Sequence, residues 1–114
     1  MTTIFGKIVR GEIPCEKVFE NERILAFKDI APKAPVHILI IPKKEIPNLQ
    51  SVSSEDMHLV TEMIVVAQQI AKEKGIANGY RLLTNNGKDG GQVVHHLHFH
   101  LIGGKPLHTH TDLG

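Results

Sequence analysis

The sequence predicts an antiparallel α+β domain of about five strands, and three observations carry that expectation. Short β-branched or apolar runs bounded by turn residues recur at roughly 16 to 20, 23 to 29, 36 to 41, 80 to 84 and 93 to 102. One long stretch, 53 to 74, has helical periodicity in place of alternation. At 114 residues the chain has the length of one compact domain and no room for a second, so residues 1 to 114 are expected as one unit. Its core should run over about 4 to 106, with a short tail over 107 to 114.

The elements follow in order. Residues 2 to 10 place Phe5, Ile8 and Val9 at helical spacing, with Thr3 as the cap and Gly11 as the stop, which predicts one short helix. The runs at 16 to 20 and 23 to 29 flank the polar "ENE" and form a hairpin without an Asn-Gly turn. "APKAP" breaks the chain, and "VHILIIP" is a buried strand closed by Pro42. Ser53 with Asp56 approximates a capping box for the long helix, lysines occupy its last turn, and Gly75 stands at the C-cap. Its apolar residues form two stripes, Met57, Val60, Ile64, Ala67 and Ala71 beside Leu59, Met63, Val66 and Ile70. One sheet cannot cover both, so loops or a partner subunit must cover the second. "YRLLT" and "VVHHLHFHLI" are strands joined by the turn-rich "NNGKDGGQ".

Composition narrows the function. Thirteen basic against twelve acidic side chains give a formal net charge of +1 with no block of like charge, so nothing resembles a polyphosphate-tracking groove or a membrane-binding face. Neither nucleic acid nor membrane is expected as a partner. Apolar stretches such as 38 to 41 are far short of a spanning helix, and the N-terminus lacks a signal peptide's apolar core. A single cysteine, Cys15, cannot form an internal disulfide. A cytoplasmic protein is expected.

The segment "HHLHFH" spaces His96, His98 and His100 two apart. On a strand over 93 to 102 these three share one face while Leu97, Phe99 and Leu101 enter the core, and His95 faces the core side. Three readings stand beside one another. A zinc site would need two of the row plus a donor such as His37, His108 or His110, because His96 and His100 lie about 13 Å apart on an extended strand. A solvated polar face is the plain alternative. The third is a catalytic surface, whose middle imidazole attacks phosphorus while its neighbours fix its tautomer and handle protons, with no metal and no cofactor. The preceding "NNGKDGGQ" would offer backbone N–H groups and an amide to phosphate oxygens.

His96-Leu97-His98-Phe99-His100-Leu101-Ile102 fits the pattern His-φ-His-φ-His-φ-φ, with φ apolar, and so resembles the histidine triad (HIT) family. The resemblance extends through "IFGKIVRGEIP", "FKDIAPKAPVHILIIPKK", "GYRLLTNNGKDGGQ" and "HLHFHLIGGKPL", and is nearest to the Hint branch. It implies a HIT-like fold, a five-stranded antiparallel sheet with one long and one short helix, whose sheets join across a homodimer. It implies binding of purine mononucleotides and hydrolysis of adenosine or guanosine 5'-phosphoramidates through a nucleotidyl-histidine intermediate. His98 matches the nucleophile, His96 and His100 its triad neighbours, and His37 a fourth histidine within the site. Asp29 matches the carboxylate that accepts the ribose hydroxyls. Ile4, Phe5, Ile8, Phe27 and Ile30 match the slot around the base, and Asn85, Gly91 and Gln92 the phosphate and leaving-group contacts.

Three positions depart from the family pattern. Val93 stands near the phosphate where relatives often carry a hydroxyl or carboxylate. His95 replaces a usual aromatic, and a buried, neutral imidazole is expected there. The tail "KPLHTHTDLG" lacks the aromatic end of animal members. A function of a different class is a nucleotide-binding regulatory or scaffold module without catalysis, which the intact triad disfavours.

Overall fold

The computed structural model describes residues 2–108. Helix α1, Ile4–Val9, starts where Thr3 stays extended and its hydroxyl accepts the Gly6 N–H at 3.2 Å. Strands β1, Lys17–Glu20, and β2, Ile24–Lys28, form the expected hairpin. Asn21 closes it, its carboxamide oxygen accepting the N–H groups of Arg23 and Ile24 at 2.8 Å each. β3 is Val36–Pro42, α2 is Met57–Glu73, β4 is Tyr80–Leu83 and β5 is Phe99–Gly103. The five strands make one antiparallel sheet in the order β1-β2-β3-β5-β4.

The register decides what each face carries. Phe27, Leu39, His100 and Leu83 pair across β2, β3, β5 and β4, and residues directly opposite share a face. The adjoining row, Ala26, Ile40 and Phe99, faces the other way and joins the core beneath Leu59, Met63, Val66 and Ile70 of α2. On the first face, Phe5 and Ile8 of α1 pack on Leu25, Phe27, Leu39 and Ile41 as a second, smaller cluster. With six residues, α1 covers only part of that face. His37 and His100 occupy the part it leaves.

Helix α2 departs from its expected start and its expected stripes. Ser53 makes no side-chain cap, the turn Ser54–Asp56 is a 3-10 helix, and the Asp56 carboxylate pairs with Lys44 at 2.7 Å instead of closing a capping box. The inward residues are Leu59, Met63, Val66, Ala67, Ile70 and Ala71, drawn from both predicted stripes. Met57, Ile64 and Val65 are left 45%, 39% and 52% exposed. The C-terminus behaves as the sequence suggests: Gly75 takes φ 74, its N–H donates to the Lys72 carbonyl, and Ile76 N–H reaches back to Ala71 at 2.9 Å.

The last strand is shorter than expected. Regular pairing begins at Phe99, not at 93. Residues before it are drawn away from the sheet, because Leu97 N–H donates to the Ile46 carbonyl at 2.7 Å. Alternation between the two faces survives from 96 onward, with Leu97, Phe99 and Leu101 in the core under α2 and His96 and His98 buried on the other side. His95, expected on the core side, is exposed.

Candidate active site

His98 lies edge-on to Phe5 of α1 and to His100, with ring centroids 5.0 Å apart in both cases. Its Nδ1 stands 2.7 Å from the His96 carbonyl oxygen. A carbonyl only accepts, so Nδ1 carries the proton and the lone pair sits on Nε2. His96 is turned over: its Nε2 donates to the Pro42 carbonyl at 2.8 Å, and its Nδ1 is buried without a partner among the described residues.

A second chain of bonds runs through His37. Lys33 N–H donates to His37 Nδ1 at 3.0 Å, which places the His37 proton on Nε2. That nitrogen stands 3.0 Å from His100 Nδ1 and 3.4 Å from Asp29 Oδ2. His100 Nδ1 therefore accepts, and its own proton is on Nε2. The other Asp29 oxygen accepts Ala31 N–H at 2.8 Å.

Burial is the first cause of a lowered proton affinity at all four rings. For His98 the hydrogen bond to His96 opposes it only in part, and for His37 the Asp29 charge does the same. His96 is lowered by burial against its bond to Pro42. His100 is pushed down to about 4 by burial and then by His98 and His37 beside it. At neutral pH the four rings are uncharged, and His98 offers an unprotonated Nε2.

Asp29, His37 and His100 bring one ligand atom each within 4.8 Å of one another, the closest approach to a metal site among the described residues. The hydrogen bond on the far side of the His37 ring argues against it. An ion on His37 Nε2 would move the proton to Nδ1, where Lys33 N–H already donates, so two hydrogens would face each other. The residues do not suit a metal. Of the other donors weighed from sequence, His108 is exposed and stands outside this cluster, and His110 lies outside the described residues.

The loop before the histidines is a scaffold more than a set of free donors. Gly87 and Gly91 adopt φ 76 and 85, which lets the loop curl on itself. The N–H groups of Gly90, Gly91 and Gln92 all donate within it. The Gln92 side chain is spent too: Oε1 accepts Gly87 N–H at 2.7 Å, and Nε2 donates to the carbonyls of Pro47 at 2.7 Å and Val94 at 3.0 Å. Contrary to the expectation of a phosphate-facing amide there, Gln92 is buried and holds the loop in place. Among the described residues no acceptor engages the Val93 N–H.

The predicted residues divide clearly. His37, His98, His100, Asp29, Asn85, Gly91, Val93 and Phe5 line two adjoining cavities of about 410 and 230 Å³. Ile8 and Phe27 are buried behind Phe5 in the small core, where the Phe5 and Phe27 rings meet edge to face at 5.6 Å. Ile4 is half exposed, and Ile30 is 99% exposed and packs on nothing. Val93 is 87% exposed. Sequence reasoning missed Ala31, Lys33, Leu39, Leu83, Val94 and Ile102, which complete the walls. Leu39 could have been found, since it lies two residues beyond His37 on one strand face.

Residues 10–107 match the HIT domain. A HIT-like protein of Chlamydia pneumoniae is 55% identical over 105 residues, covering 92% of this chain and 96% of that one. The purine nucleoside phosphoramidase of Escherichia coli strain K12 is 51% identical over 106 residues, 92% of this chain and 89% of its own. Among solved structures, a histidine triad protein from Clostridium difficile superposes with TM-score 0.90 at 48% identity, covering 95% of both chains. A HIT family hydrolase from Clostridium thermocellum gives 0.92 at 42%, covering 96% of both. The triad, the sheet that carries it and these relatives agree, and the chain belongs to the HIT family.

Proposed function

We propose that the protein hydrolyses the P–N bond of purine nucleoside 5'-phosphoramidates through a nucleotide covalently held on His98. The observation that carries this reading is the 2.7 Å bond from His98 Nδ1 to the His96 carbonyl, which leaves Nε2 with its lone pair in a ring kept neutral by burial. Nε2 attacks the phosphorus, the P–N bond breaks, and the amine leaves with a proton from His100, whose affinity for it rises when the anionic phosphoryl group is bound. Water then attacks the phosphorus, giving a proton to His100, which is neutral again after protonating the amine, and the bond to Nε2 breaks to release the nucleoside monophosphate and neutral His98. The Val93 N–H and Asn85 are available to the phosphoryl oxygens. Asp29 accepts from the ribose hydroxyls and the slot beside Phe5 takes the base.

We further propose a homodimer in which a second copy covers Met57, Ile64 and Val65 of α2, in a cytoplasmic setting that suits the one half-buried thiol, Cys15. The alternative, a nucleotide-binding module without catalysis, is separated by one experiment. Acid quench during turnover of adenosine 5'-phosphoramidate should trap one adenylyl group on the wild-type chain, located at His98 by peptide mass spectrometry. His98→Asn should lose adduct and turnover while binding AMP within about tenfold of wild type, because ribose and base contacts remain. Hydrolysis without an adduct, or AMP binding with neither, would refute the covalent mechanism.

A further inference from the structure

We infer that Lys33 selects the leaving group, fitting the site to phosphoramidates whose amine bears a carboxylate, that is N-linked amino acids, ahead of those whose amine is neutral. This rests on the phosphoramidase reading above and goes beyond it by assigning a substrate class to the larger cavity. The two cavities share Asp29, Asn85, Val93 and His100. The smaller one adds His98, Phe5 and Leu39, and the larger one lies on the other side of His100, adding Lys33, Leu83 and Ile102.

A phosphorus within reach of both His98 and His100 must sit where the cavities meet. Displacement in line places the leaving group opposite the attacking nitrogen. With His98 lining the smaller cavity, the amine is directed past His100 into the larger one. That cavity combines an apolar wall with a cationic residue: Leu83, Val93 and Ile102 suit a hydrocarbon side chain, and Lys33 is the one lysine or arginine lining either cavity. Asp29, the one acidic side chain there, is turned toward Ala31 N–H and His37. Among the described residues Lys33 forms no ion pair.

The lysine's backbone is fixed as well. Its N–H is tied to His37 Nδ1, and it stands between Pro32 and Pro35 in a segment with restricted φ. The Lys33 charge is felt in the site, since it lowers the proton affinity of both His37 and His100. An amino acid joined through nitrogen carries its carboxylate on the carbon next to the reacting atom, so the anion travels with the leaving group into the cavity that Lys33 lines.

The test compares kcat/KM for the adenosine 5'-phosphoramidates of phenylalanine and of phenethylamine, which differ only in the carboxylate. Wild type should favour the phenylalanine compound by about fivefold, the range of a charge pair at a partly exposed site. Lys33→Gln should bring the ratio close to one and Lys33→Glu should invert it, with the wild-type preference shrinking as salt is raised. An unchanged ratio in Lys33→Gln would overturn the assignment. So would an equal loss on both compounds together with weaker AMP binding, which would mean that Lys33 serves the phosphoryl group. Turnover of the phenethylamine compound by wild type upholds the underlying reading whatever the ratio, and turnover of neither would defeat both.

Discussion

Which nitrogen bears the proton decides what each imidazole can do, and here main-chain atoms decide it. The His96 carbonyl fixes His98, the Pro42 carbonyl fixes His96, and the Lys33 N–H fixes His37 and through it His100. The result is three rings protonated on Nε2 and one, the proposed nucleophile, on Nδ1. Since burial lowers His98 from its ordinary 6.5, the acidic limb of kcat/KM should fall below pH 6.5, and an inflection at or above that value would contradict the structure. The same shifts act on stability. Above about pH 6.5 the rings are neutral folded and unfolded, so their contribution is fully present. As pH drops below 6.5 the unfolded chain binds protons that the fold resists, and the contribution declines until His100 itself titrates at about 4. Thermal melting should therefore fall steadily between those limits. The identity and spacing of the triad were legible in the sequence. The carbonyls that set the tautomers were not, because a backbone acceptor leaves no mark on residue type, and neither was Gln92, whose partners lie in its own loop and at Pro47.

At the scale of elements, residues 42 to 50 act as a brace for the loop and histidines of the candidate site. Four bonds join the two: His96 Nε2 to Pro42, Leu97 N–H to Ile46, Gln92 Nε2 to Pro47, and Gln50 N–H to the Asn86 carboxamide at 2.8 Å. Gln92→Leu removes three bonds from this brace and loop and leaves the Gly87 N–H and the Pro47 and Val94 carbonyls without that partner. It should cost about 2–4 kcal/mol in urea denaturation at roughly 1 kcal/mol per bond. Turnover should drop more than AMP affinity, since the loop positions His98 while ribose and base contacts lie elsewhere. Equal effects on both would assign Gln92 to direct contact. The brace also explains why β5 is shorter than its sequence pattern: "VVHHLHFHLI" alternates as a strand should, but its first half bonds to the chain beyond β3 and not to a sheet neighbour. The N-terminus of α2 departs from its capping pattern for a related reason, since Lys44 of the same segment takes the Asp56 carboxylate.

At the scale of the whole molecule, the sheet divides the protein into two layers of unequal completeness. The layer under α2 is filled, and its outer surface still presents Met57, Ile64 and Val65. Ile64→Glu should convert the proposed dimer to monomer in light scattering at micromolar concentration, with little change in thermal stability because the side chain lies outside the core. A wild-type monomer would refute the dimer. Met63, fully buried, is the wrong probe, because its replacement would unfold the chain before it informed on association. The other layer stops at α1, short of His37 and His100, so a ligand seated there finishes an interior that the polypeptide leaves incomplete. Occupancy and folding are then linked quantities. At a hundred times its dissociation constant such a ligand adds about 2.7 kcal/mol to the free energy of unfolding. A variant too weak to stand alone in dilute buffer would hold its shape wherever that ligand is abundant, and the tolerance of this sequence to mutation becomes a property of its surroundings as well as of its core.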